Sequence, residues 1–280
     1  MHSMPTAAGA ATLAGVPEKR GWSRALYLIP SSLTLASVLC GWYAIVCSVK
    51  GALGIADHVH AADLFGKASL AIGLAIILDN LDGRIARTIG ATSEFGVELD
   101  SLADVLTFGA AAAMLAYACG YGSVPGFETR AFVVSFVFIA AGAIRLARSN
   151  VLSHNEHHFV GLPIPAAAGV IAGISHFYYS PMARGAAGSD FRSYSLTLMA
   201  AVIALSLLMV STFPYSKLKF ATHSRKHVSA FNRLTFPLVA LVAGLGFWFN
   251  SRWVVLTTAV LYAVHGPIVW AVNATRRNAS

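Results

Sequence analysis

Residues 64–87 read LFGKASLAIGLAIILDNLDGRIAR. Up to Leu78 the run carries one charge, Lys67, and is otherwise apolar or small; from Asp79 onward charged residues recur every two or three positions. An apolar segment of about 17–25 residues with few charges is long enough to cross a bilayer as a helix. The stretch therefore predicts a span over 64–81 that leaves the membrane into an acidic sequence. On a helix of about 3.6 residues per turn, positions 79, 82, 83, 86 and 87 share one face. That face sets two carboxylates, two small residues and a guanidinium side by side.

Comparable apolar stretches lie near 28–49, 102–120, 131–147, 162–179, 194–212, 234–249 and 253–271. The composition agrees, with 56% hydrophobic and 11% charged residues against about 25% charged in an ordinary soluble domain. The expectation is an all-α integral membrane protein of eight transmembrane helices, with a leader over residues 1–24 and one transmembrane domain over 25–275. The formal charge of +8 would also suit a nucleic-acid partner, but the distribution of the basic residues favours a lipid bilayer. With the N-terminus in the cytoplasm, only Lys50, Lys67, Arg130, Arg184, Arg192 and Arg252 of the 20 Lys and Arg fall outside, as the positive-inside rule requires. Both termini and the acidic window are then cytoplasmic, and a bacterial inner membrane is the expected location. Cys40, Cys47 and Cys119 all fall inside apolar spans and read as small core residues, not as a disulfide framework. The leader has no basic region before an apolar core, so it does not read as a secretory signal.

The acids are unevenly placed. Asp79, Asp82, Asp100 and Asp104 fall in one window, where the second span leaves the membrane and the third enters it, with Glu94 and Glu98 between. Gly90, Thr92 and Ser93 supply a turn and a helix start. Beyond them Gly96, Asp100 and Asp104 recur at four-residue spacing on a single face. Two antiparallel helices joined by this turn can set four carboxylates opposite one another. An Asp at a span centre costs about 2.5–3.5 kcal/mol on insertion scales, and like charges at close range repel, so a cation is expected between them. Hard oxygen ligands suit Mg²⁺ or Mn²⁺, and Mg²⁺ commonly bridges carboxylates and substrate phosphates. Glycine and alanine beside the acids leave room for a diphosphate or a flat base to approach the backbone. The pattern reads as a metal-dependent phosphoryl-transfer site. Simple pairing of the acids with Arg84 and Arg87, or a proton or ion pathway with deeper acids, fits the spacing less well.

The pattern Asp79-x-x-Asp82-Gly83-x-x-Ala86-Arg87, eight residues, then Gly96-x-x-x-Asp100-x-x-x-Asp104 resembles the full signature of the CDP-alcohol phosphotransferase family. The resemblance implies a homodimeric all-helical membrane fold with two divalent ions, Mg or Mn, at each site. It implies that Asp79, Asp82 and Asp100 are metal ligands, and that Asp104 is both near the second metal and the general base. It places Gly83, Ala86, Arg87 and Gly96 along the cytidine nucleotide; Thr34 and Ser31, at the cytoplasmic mouth of the first span, and Ser93, at the turn, are further candidates to touch the CDP-lipid. Further features are similar to the branch of the family that uses serine: Leu99-Asp-Ser-Leu-Ala-Asp104 with Phe108-Gly109, and Arg145-Leu-Ala-Arg148 leading to Gly161-Leu-Pro163-Ile-Pro165. That branch implies CDP-diacylglycerol and L-serine as substrates; Arg145 or Arg148, three apart on one face at the cytoplasmic end of the fourth span, is expected to receive the serine carboxylate, since a guanidinium fork binds it bidentately. Glycerol 3-phosphate, an inositol phosphate or choline are alternative acceptors with the same chemistry, and a transporter without turnover is the alternative from another class. Ser31 and Ser37 stand where relatives often have Asn, and Ser149 where Phe is common.

Other clusters have plainer readings. His154, Glu156, His157 and His158 read as a solvated loop, and the basic residues between Pro214 and Ala230 as a topology determinant beside anionic headgroups. Phe177, Tyr178, Tyr179, Trp248 and Trp253 read as interfacial aromatics.

Overall fold

The computed structural model describes residues 22–54, 58–90, 93–152, 159–179, 191–212 and 214–215. Among these, α1 (Trp22–Leu53), α2 (His58–Thr88), α3 (Glu94–Asp104), α4 (Ala111–Cys119), α5 (Glu128–Leu152), α6 (Ile164–Tyr179) and α7 (Phe191–Val210) are helical. A π-helical segment, Val105–Ala110, joins α3 to α4, so the two make one continuous span. Two short strands, β1 (Phe159–Val160) and β2 (Pro214–Tyr215), pair antiparallel with Phe159 opposite Tyr215.

Five helical spans are long and apolar enough to cross a membrane: Pro30–Leu53, Val59–Thr88, Glu94–Cys119, Glu128–Val151 and Phe191–Val210. At about 1.5 Å per residue, their 20 to 30 residues exceed or match a hydrocarbon core of about 30 Å. A sixth apolar helix, over Ile164–Tyr178, is shorter. These six occupy the places of the first six expected spans, and most run a turn or more past the apolar limits into polar sequence. The expected spans at 234–249 and 253–271, the leader up to residue 21, the histidines at 154–158 and the basic loop from residue 216 on lie outside the described residues.

The span made of α3, the π segment and α4 is the centre of the bundle. Ala111, Ala112, Ala113, Leu115, Ala116 and Ala118 are all buried, and α4 touches α1, α2, α5, α6 and α7. Lipid tails are as apolar as leucine, so helices in a bilayer associate through close packing of small residues. The alanine-rich α4 can be surrounded on every side for that reason. Leu35, Leu39, Phe132 and Phe136, by contrast, are exposed and face where lipid would lie.

Contacts assign the helix ends to two poles. At one pole the start of α1 meets the end of α2, through Thr34 and Asp82. There too the end of α5 meets α3 through Asn150 and Ser101, and Leu162 N–H donates to the Leu208 carbonyl near the end of α7. Gly161, at φ +89°, shapes the entry to α6; a side chain there would run into the Met209 carbonyl, so only glycine fits. At the opposite pole Cys119 lies against Ser175 and Tyr194, both at 3.4 Å. Cys47 and Cys119 are buried, Cys40 is half-buried, and none of the three forms a disulfide, as expected of packing residues.

Candidate active site

The acidic sequence folds into a helix–turn–helix corner at the first pole. α2 continues without a break through Asp79, Asp82 and Arg87 to Thr88, and Gly90 at φ +66° turns the chain in a conformation that favours glycine. Ser93 then caps α3: its backbone is extended and its hydroxyl accepts the Gly96 N–H at 3.0 Å. Glu94 in the first turn suits the positive end of the helix dipole. The corner folds the two faces of the motif towards each other.

Asp79, Asp82 and Asp100 converge. Each offers one carboxylate oxygen, and the three atoms lie within 4.8 Å of one another. Asp82 is buried and the other two are half-buried. Oxygen ligands about 2.0–2.1 Å from one Mg²⁺ stand no more than about 4.2 Å apart, so a small side-chain rotation would bring the trio around an ion. Asp104, one turn beyond Asp100, is buried and outside that trio, and it is an electrostatic neighbour of Asp79 and Asp100.

Two guanidinium groups flank the acids. Arg87 folds back over Gly83, where a Cβ would stand 3.5 Å from its Nη1, and it is an electrostatic neighbour of Asp82 and Asp100. Arg145 on α5, only 8% exposed, is an electrostatic neighbour of Asp104. Four carboxylates against two guanidiniums leave an ionised set that a divalent cation would balance, and the donors are the hard oxygens that Mg²⁺ or Mn²⁺ prefers. The residues fit a metal centre.

The remaining expected residues divide. Gly83, Ala86 and Gly96 are half-buried on the faces that carry the acids, and Arg87 is exposed beside them. Ser93 keeps its hydroxyl oxygen on the cap. Thr34, expected beside the nucleotide, is buried and donates to Asp82 Oδ2 at 2.7 Å. Arg148 lies one turn past Arg145 and donates to the Val210 carbonyl at 3.5 Å, so it touches the end of α7 as well as sharing a face with Arg145. Sequence reasoning missed the bond from Asn150 to Ser101 at 3.0 Å, beside Asp100, and the π segment directly after Asp104. Neither leaves a local signal, because one joins residues far apart in sequence and the other has an ordinary apolar composition.

Comparison with known proteins bears on this arrangement. The chain is 32% identical to "CDP-diacylglycerol--serine O-phosphatidyltransferase" of Helicobacter pylori over 252 residues, 85% of this chain and 95% of the relative. It is 32% identical over 201 residues, 72% of this chain and 93% of the relative, to the protein of the same name from Bacillus subtilis. It is also 32% identical to "Archaetidylserine synthase" of Methanothermobacter thermautotrophicus over 191 residues, 68% of this chain and 70% of the relative. The family model described as CDP-alcohol phosphatidyltransferase matches residues 27–265. That match takes in α1 from residue 27 on, the whole of α2 to α7 and all four acids, and with it this integral membrane chain belongs to the CDP-alcohol phosphatidyltransferase family.

Proposed function

We propose that the chain transfers the phosphatidyl group of CDP-diacylglycerol to L-serine, giving phosphatidylserine and CMP in phospholipid biosynthesis. The observation that carries this reading is the convergence of Asp79, Asp82 and Asp100 beside Asp104 and the buried Arg145. Serine as acceptor is supported by relatives whose names specify serine transfer, bacterial and archaeal alike.

In this reading Asp79, Asp82 and Asp100, with Asp104 as a further candidate ligand, would hold divalent metal, Mg²⁺ or Mn²⁺, two ions per site. When bound, the metal would supply positive charge to offset that of the diphosphate of the CDP-lipid. The other tasks fall to the chain's own groups. Gly83, Ala86 and Gly96 leave the backbone open to the cytidine, and Arg87 and Ser93 border it. Asp104 accepts the proton of the serine hydroxyl as that oxygen bonds to the lipid-side phosphorus and the bond from phosphorus to the CMP oxygen breaks. Arg145 receives the serine carboxylate, since a guanidinium fork binds a carboxylate bidentately, with Arg148 one turn away on the same face. Lipid tails stay in the bilayer while serine and CMP are water-soluble, which places the site at a membrane surface. The distribution of Lys and Arg supports the cytoplasmic surface, with both termini on that side. A homodimer in a bacterial inner membrane completes the reading.

The test is CMP release by purified protein from CDP-diacylglycerol with one acceptor at a time. Release that depends on serine is expected. Faster release with glycerol 3-phosphate, an inositol phosphate or choline would overturn the acceptor. No release with any acceptor, from folded protein supplied with Mg²⁺ or Mn²⁺, would overturn the enzyme.

A further inference from the structure

A serine or threonine hydroxyl in a membrane helix ordinarily satisfies itself by bonding back to the carbonyl three or four residues earlier. Ser37 does so with the Thr34 carbonyl at 2.8 Å, Ser48 with Ala44 at 2.7 Å and Ser69 with Phe65 at 2.9 Å. Thr34 departs from this habit. Its Oγ1 lies 3.2 Å from the Pro30 carbonyl but 2.7 Å from Asp82 Oδ2. A hydroxyl has one hydrogen to donate, and the shorter, charge-assisted contact to a carboxylate is the stronger of the two. The Thr34 hydrogen therefore belongs to Asp82, across the α1–α2 hairpin, in a spot where Thr34 is 6% and Asp82 4% exposed.

The same face of α1 reaches the other acidic helix. Thr34, Ser37 and Gly41 lie at offsets of three and seven, one helical face. Thr107, in the π segment after Asp104, donates to the Ser37 carbonyl at 3.4 Å. It also packs against Gly41, where a Cβ would stand 2.8 Å from Thr107 Cα. α1 thus touches both helices that carry the acids, and Thr34 ties it by a hydrogen bond to a carboxylate of the trio.

We propose that Thr34 is a positioning residue for the metal centre: its hydroxyl fixes the rotation of the Asp82 carboxylate so that the other oxygen faces Asp79 and Asp100. The inference rests on the metal-dependent reading of the site. It gives Thr34 a role towards the cation in place of the nucleotide contact expected from sequence. Partners that orient a metal-ligating carboxylate are worth about 10–100-fold in metal affinity when removed.

The test is direct titration of detergent-purified protein with Mn²⁺ alone, read by the electron paramagnetic resonance of free ion, on Thr34→Val, Thr34→Ala and Thr34→Ser. Valine keeps the β-branched shape and removes the hydroxyl, and alanine guards against a packing defect peculiar to valine. Thr34→Val and Thr34→Ala are expected to weaken Mn²⁺ binding about 10–100-fold, while Thr34→Ser restores it to within a few-fold of wild type. At saturating metal, the CDP-diacylglycerol KM should stay near wild type. Unchanged Mn²⁺ affinity in both hydroxyl-free variants would overturn the proposal, as would a raised CDP-diacylglycerol KM with unchanged Mn²⁺ affinity, which marks a nucleotide contact. Wild-type protein that binds no Mn²⁺ overturns it as well. An Mn²⁺ affinity that falls on loss of the Thr34 hydroxyl, in a wild-type protein that releases no CMP, would remove the enzymatic reading and leave this inference standing.

Discussion

Gly41 and Thr107 bring α1 and the π segment into backbone contact: a Cβ at position 41 would lie 2.8 Å from Thr107 Cα and 3.0 Å from its Oγ1. The obstacle is main chain, which a rotamer change cannot move aside. Gly41→Ala must therefore shift the segment that follows Asp104. Overpacking of this kind typically costs about 1–3 kcal/mol, and the displacement falls on the proposed base. A lower melting temperature together with reduced CMP release is expected. Gly66→Ala and Gly73→Ala, at positions where nothing lies within 4 Å of the added carbon, should leave both measurements near wild type. If Gly41→Ala behaves like those controls, α1 does not constrain the segment.

Because Asp79, Asp82 and Asp100 place three oxygens within 4.8 Å of one another, each is expected to be indispensable for turnover. Asn at any of the three keeps the shape and removes the charge, so the protein should still insert and fold while CMP release falls to background. Wild-type activity should vanish in chelator and return with added Mg²⁺ or Mn²⁺. Full activity in chelator would remove the metal from the mechanism.

Asp104 stands apart from that trio, buried, next to Asp79 and in the field of Arg145. A base acts on the rate, and general-base catalysis is typically worth about 10²–10⁴-fold. Asp104→Asn is expected to lose turnover in that range while binding CDP-diacylglycerol in the presence of metal with near wild-type affinity. Loss of substrate binding with the rate retained at saturation would assign Asp104 to the ligand shell alone.

The parts of this architecture that were readable in advance are those that local sequence controls. Apolar run length located five spans and the shorter apolar helix over Ile164–Tyr178, because crossing a bilayer requires it whatever the neighbours are. The turn at Gly90 and the cap at Ser93 follow from backbone needs that few residues meet. The convergence of Asp79, Asp82 and Asp100 followed from their spacing on two helix faces joined by that turn. Unreadable were the features set by another helix. Nothing in Val105–Ala110 announces π geometry; it appears where α1 presses on Thr107. Thr34 carries no mark of Asp82, 48 positions away, nor Asn150 of Ser101, 49 positions away. The strand pair of Phe159 with Tyr215 joins segments that flank α6 and α7. No periodicity within either segment could show it.

Arg145 and Arg148 looked alike in sequence, three apart at the same end of one span, and the structure separates them. Arg145 is 8% exposed and acts on Asp104, whereas Arg148 is half-buried and donates to the Val210 carbonyl. A serine bound with its hydroxyl at Asp104 would present its carboxylate to the guanidinium beside that acid, so Arg145 is the stronger candidate. Lysine keeps the charge but cannot form the fork, which isolates geometry from electrostatics. A hydrogen bond to a charged group is worth about 1.5–3 kcal/mol, and about 1.4 kcal/mol corresponds to tenfold in affinity. Arg145→Lys is therefore expected to raise the serine KM by roughly tenfold or more, with the CDP-diacylglycerol KM nearly unchanged. Arg148→Lys should change the serine KM less and act mainly on stability, by loosening the end of α7. The reverse ranking would move the carboxylate to Arg148. An unaltered serine KM in both variants would mean that neither arginine holds it, and serine as acceptor would then rest on the relatives' names alone.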